Sequence, residues 1–191
     1  MKKTLIIFAL TLMLVLTTFS GCSSGGTGDG STDGTAAATD TLTGDTSGIL
    51  EDILSGADET LADSDKLPPN FIDPVTADNA QGMLGLSPDE FGEYVSEAYA
   101  ATGALTTSAY EVALIKCTDF DAAAEVKALV AGGFESGKWI CVMPEQSFTV
   151  ESGSYVLLAV SSKAGGDAIL ESFTAAADGN VGDADMFYTK S

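Results

Sequence analysis

The chain has 191 residues, with 28 Asp and Glu against 8 Lys, no Arg and no His, and a formal charge of −20. A surface this acidic repels phosphate backbones, which excludes nucleic acid as a partner. Without His the Ser-His and Cys-His catalytic pairs are unavailable, and the apolar content is enough for one domain with a single core.

Lys2 and Lys3 precede a dozen apolar or small residues from Leu5 to Leu16, and the run breaks at Thr17, Thr18 and Phe19. That is the layout of a signal peptide, residues 1–21. The apolar run is shorter than the roughly 20 residues that cross a bilayer as a helix. Phe19-Ser20-Gly21-Cys22 resembles a lipobox, with Phe19 in place of the usual aliphatic residue. Cys22 is therefore the expected lipidation site, and the protein is expected on the extracellular face of the cytoplasmic membrane with a lipid anchor. Simple secretion with cleavage after Ser20 is the alternative. Two acyl chains, each CH₂ contributing about 0.8 kcal/mol on burial, anchor firmly where one is marginal. Loss of Lys2 and Lys3 leaves six basic residues against 28 acidic ones, a formal charge of −22.

Residues 22–48 are the lipidated Cys and a stretch of Ser, Gly, Thr, Ala and Asp in which Leu42 is the one large apolar side chain. Such a segment cannot bury enough surface to offset chain entropy, and 26 flexible residues average roughly 30 Å end to end. It reads as a tether. Ile49, Leu50, Ile53 and Leu54 share one face of a short amphipathic helix bracketed by Gly48 and Gly56, within a helix and link spanning 49–66. The domain proper is expected over 67–177, with 178–191 as a mobile acidic tail.

Within the domain, Thr76 can cap a helix ending at Leu84-Gly85, with Gly85 left-handed. Ser87-Pro88-Asp89-Glu90 starts a second helix by a capping box. Tyr94 to Tyr99 fits either helix or strand, and a strand is preferred because a hairpin partner follows. That partner, Tyr110 to Cys117, is apolar on both faces and so central. Asp119 and its neighbours open a helix that stops at Gly132-Gly133. A strand near Ser147 to Glu151 turns at Ser152-Gly153 into Ser154 to Ser161, and a last helix covers about Gly166 to Ala177. Hairpin, apolar second strand and helix thus occur twice. The expected fold class is α+β, an antiparallel sheet from two ββα-like units with helices packed on one face.

The lipobox, the tether, Leu84-Gly85, Tyr110 to Ile115, Lys138-Trp139-Ile140-Cys141-Val142 and Gly153 to Val160 together resemble a domain-of-unknown-function family of Gram-positive surface lipoproteins. The resemblance covers about Ile49 to Phe173. It implies an extracellular α+β domain and no established activity, and the tail after Ala177 and Cys117 depart from its pattern.

The residues that carry chemistry elsewhere have bland readings here. Lys116, Lys127, Lys138 and Lys163 could serve a Ser-Lys pair, but none sits in Ser-x-x-Lys. Glu90, Glu93, Glu97, Glu111, Glu145 and Glu151 could pair as in glycosidases, yet acids this numerous are a solvated face by default. Glu111 is the exception, since its strand is buried and it would need a Tyr or Lys partner. Asp178, Asp183 and Asp185 mimic the start of a calcium loop without its Gly and Glu. Trp139 reads as core rather than as a sugar platform. Cys117 and Cys141 read as free thiols, with a disulfide as the alternative. No catalytic residue, cofactor or metal is assigned. The function expected is a non-enzymatic binding or interaction module of the cell envelope, with an envelope protein or glycan as partner and a carboxylate or Ser-Lys hydrolase as the alternative.

Overall fold

The computed structural model describes residues 40–105, 107–135, 137–139 and 141–190. The expected signal peptide and lipidation site, Cys22, and most of the expected tether lie outside the described residues, as does Ile140. Chain order is α1 (Thr46–Thr60), β1 (Asn70–Pro74), α2 (Ala80–Leu84), α3 (Pro88–Tyr94), β2 (Val95–Gly103), β3 (Glu111–Cys117), α4 (Phe120–Gly133), β4 (Gln146–Ser152), β5 (Tyr155–Ser161), α5 (Lys163–Ala176) and β6 (Asp185–Thr189).

Local chemistry sets these boundaries. Asp45, Asp119 and Ser162 cap α1, α4 and α5 by accepting from the backbone N–H three residues on, which satisfies one of the donors that a helix start leaves free. Ser87 and Glu90 form the expected capping box of α3, and Val95 opens a strand, as preferred. Gly85 is left-handed with φ +78° and ends α2. Gly56 does not end α1, which runs four residues further. A Cβ on Gly56 would stand 2.7 Å from the Ser172 hydroxyl of α5, so this glycine is a helix crossing point.

All strand pairs are antiparallel, in the order β1-β2-β3-β5-β4-β6. The α+β class with an antiparallel sheet is as expected, and β3 and β5 are the central strands that their two apolar faces require. The helices, however, cover both faces rather than one. Leu114, Leu157 and Phe148 pack with Leu50, Ile53, Ile169 and Phe173 of α1 and α5. Ile115, Val156 and Leu158 pack with Leu84, Val126 and Val130 of α2 and α4.

The chain's path explains this. From β3 through α4 the chain passes over β5 to reach β4, and from β5 through α5 it passes over β4 to reach β6. Both crossovers step the same way across the sheet, but β3 and β5 run in opposite directions. A single hand for both crossovers, as the strong right-handed preference demands, therefore places α4 and α5 on opposite faces.

Two expected boundaries move. The described fold begins by Asp40, not at 67: the Asp40 carboxylate accepts from the Ser154 N–H at 2.7 Å and its hydroxyl at 2.8 Å, and Leu42 is buried among the α1 and α5 side chains. The acidic tail is not free either. Residues 185–189 pair with β4, and Lys127 of α4 reaches Glu151 at 2.5 Å, Asp185 at 3.3 Å and the Asp183 carbonyl at 2.6 Å. Burial pushes the Lys127 ammonium down, but Glu151 and Asp185 outweigh it and its pKa is raised. Among the described residues no helix is long and apolar enough to cross a membrane.

Candidate functional site

The sheet has two ends. At one, Asp40 is tied to the β4–β5 turn, where Gly153 has φ +59°. At the other, β3 begins, β5 ends, and the segments 61–69, 104–110, 134–145 and 162–163 gather. Three of the exposed large apolar side chains, Phe71, Leu105 and Met143, belong to this second end.

Glu111 enters β3 here on the face covered by α2 and α4, the face of Ala113 and Ile115. It is 2% exposed, and its Oε2 lies 2.5 Å from Lys138 Nζ. Lys138 also donates to the Gly82 carbonyl at 2.9 Å, and its ammonium stands 4.6 Å from the Phe134 ring centroid and 5.0 Å from that of Trp139. One lysine thus ties the 134–145 segment to β3 through an ion pair and to α2 through a backbone bond, while its ammonium rests near two rings of its own segment. Glu111 Oε1 has no hydrogen-bond partner. Burial raises the pKa of this carboxyl to about 7, against the opposing pull of Lys138. The lysine partner is one of the two that the sequence suggested.

The other acids named from the sequence have structural uses. Glu90 closes the α3 capping box, Glu97 accepts from the Thr46 hydroxyl, Glu145 accepts from Lys163 N–H at 2.8 Å, and Glu151 holds Lys127. Glu93 stands beside Tyr94 and raises its pKa by its charge. The lysines are similarly engaged: Lys163 with Asp167 at 2.6 Å, and Lys116 over the Tyr155 ring at 5.6 Å. Among the described residues none of the four donates a hydrogen bond to a serine hydroxyl. Trp139 is half-buried against the α4-face core, 6.3 Å from Phe134, in keeping with a packing role. Cys117 and Cys141 are free. Cys117 is buried, which pushes its thiol to about 12, while Cys141 is exposed on a loop.

Tyr110, one residue earlier, faces α1 and α5. Its hydroxyl is buried without a partner. Burial raises its pKa, and the charge of the Asp58 carboxylate raises it further. Asp58 accepts from Leu67 N–H at 2.9 Å, folding the 61–69 segment over this spot. The result is a cavity of about 240 Å³ whose lining runs over residues 64–68, 108–110 and 161–162 and includes Asp65, Leu67 and Pro68 beside four serines. Gly165 allows it: a Cβ there would lie 2.6 Å from Ser161 Oγ and 3.2 Å from Leu67 Cδ2, so the α5 start could not settle against the end of β5.

Sequence reasoning passed over this cavity because its serines come from three separate stretches of the chain, at 64, 108 and 161–162. The local sign available was Ser161-Ser162 followed by Gly165-Gly166, a capped helix start with no side chains to hold it off the sheet. A larger groove of about 640 Å³, more open, runs between α1 and β1 past Glu51, Asp58 and Ile72.

No protein-family model matches the chain, and no curated protein or solved structure is detectably similar to it.

Proposed function

We propose that the protein is a lipid-anchored binding module of the cell envelope, held to the extracellular face of the cytoplasmic membrane through Cys22, whose ligand is an envelope protein or glycan. The observation that carries this reading is the separation of the two ends of the sheet. The chain joins the fold at Asp40, against the β4–β5 turn, while the loop cluster with Tyr110, Glu111 and three exposed apolar side chains lies at the other end.

The rival hydrolase reading needs two inward carboxyls with raised pKa values, and Glu111 supplies one. Fractionation of cells with a labelled fatty acid tests the anchor. Cys22→Ser is expected to lose the label and leave the membrane fraction with the domain still folded. Retention of the variant in the membrane fraction, with no label on the wild type, would reject the proposal.

A further inference from the structure

We infer that the free edge of β1, beside α1, is a docking site for an extended peptide segment bearing Lys or Arg, taken up from an envelope protein by strand addition. This narrows the partner class of the binding module, and so rests on that reading.

The ladder shows which backbone groups are on offer. Ala104 N–H donates to the Pro69 carbonyl at 2.7 Å, and Val75 N–H to the Ala98 carbonyl at 2.8 Å. Bonded residues alternate in an antiparallel pair, so in the register Phe71↔Thr102 and Asp73↔Ala100 these two residues turn their backbone groups to β2. Asn70 and Ile72 turn theirs outward, where β1, last in the sheet, has no neighbouring strand. Both are half-buried, and both line the groove of about 640 Å³ together with Phe71 and Asp73. Successive strand residues point to opposite faces, so a space that meets all four runs along the edge and not over one face. Pro69 precedes β1 and Pro74 ends it, which limits pairing to a short incoming segment.

Charge selects the occupant. Glu51 and Asp58 of α1 and Asp73 of β1 line the groove beside the apolar Leu54 and Ile72, and its lining holds no cation. Lys66 offsets Asp58 at 3.5 Å, but among the described residues neither Glu51 nor Asp73 forms an ion pair. A second copy of the chain brings the same carboxylates and a formal charge of −20 against them. A basic extended segment instead brings donors and acceptors to Asn70 and Ile72 and positive charge to Glu51 and Asp73.

The test uses the full chain in mild detergent at about 0.15 M salt, where charges farther apart than roughly 8 Å are screened. The probes are three fluorescent peptides: Lys-Val-Lys-Val-Lys, its Glu counterpart, and the lysine peptide with every backbone N–H methylated, which keeps the charge and loses the ladder donors. Fluorescence anisotropy should show saturable binding of the first, with the other two at least tenfold weaker. Amide exchange over residues 70–74 should slow on binding. Glu51→Gln combined with Asp73→Asn should weaken binding three- to tenfold and leave the melting temperature unchanged, since neither carboxylate has an ion partner to lose. No binding, equal binding of the methylated peptide, or equal binding by the double variant would overturn the inference. So would protection of residues 70–74 without peptide in a chain that sediments as a dimer, which would make a second copy the occupant. Any of these results with normal release of Cys22→Ser from the membrane removes the partner class alone, whereas failure of the release experiment removes the module reading beneath it.

Discussion

Tyr110 and Glu111 are adjacent in the chain and enter β3 toward opposite faces of the sheet, each carrying one buried oxygen without a hydrogen-bond partner. Such pairing of orphans at the start of a central strand is unlike the rest of β3, where Val112 to Ile115 are apolar and fully buried. Buried polar groups are normally satisfied, and the other orphaned hydroxyls among the described residues, those of Ser147 and Ser152, lie on the neighbouring half of the sheet in β4.

Glu111 makes stability depend on pH. Its pKa is raised by burial from 4.5 to about 7 in the folded state, so the native chain binds more protons than the unfolded chain between those values. Its contribution is fully present below about pH 4.5 and is lost as pH rises through 7. The expected loss is on the order of 1–3 kcal/mol. Urea denaturation at pH 5 and pH 8 checks it, and Glu111→Gln should flatten the difference. An unchanged slope in that variant would show that other groups carry it.

Two glycines on α2 and its cap should respond oppositely to alanine. Gly85 has φ +78°, and a Cβ there would lie 2.3 Å from the Gly133 backbone, an atom that cannot give way. Gly85→Ala should cost about 2–4 kcal/mol through strain and overlap. Gly82 lies inside α2 with open space where a Cβ would go, and Gly82→Ala should stabilise by about 0.5–1 kcal/mol. Melting temperatures of the two variants give the comparison directly.

The sequence made legible whatever is decided within a few residues. The capping box at Ser87, the left-handed Gly85 and the two-faced apolar runs of β3 and β5 follow from local spacing, and the structure has all three. What it hid depends on partners far away in the chain. Leu42 stands alone among polar residues, and its burial requires Asp40 to bind Ser154, 114 residues on. Met186, Phe187 and Tyr188 are too few to announce a strand between acids, and without β6 there was no second crossover to put α5 on the opposite face. Glu111 was legible as a buried acid because its strand was. The cavity beside Tyr110 was not, because it is assembled by the 61–69 segment folding onto Asp58.

The edge strand β6 should depend on one lysine. Lys127, 58 residues before Asp185, binds Glu151 of β4, the Asp185 carboxylate and the Asp183 carbonyl. Its side chain is 10% exposed, while those of Glu151 and Asp185 keep 32% and 57% of their exposure. Replacing it with methionine fills similar volume but leaves two carboxylates facing each other. Because both stay in contact with water, the cost should be on the order of 1–2 kcal/mol, less than for a fully buried pair. The loss should be local: amide exchange across residues 185–189 should rise well above that of wild type, while β5, buried on both faces, keeps its protection. Exchange followed by mass spectrometry separates the two segments. Equal acceleration in β5 would mean that β6 unfolds only with the whole domain, and that Lys127 supports the core rather than the edge.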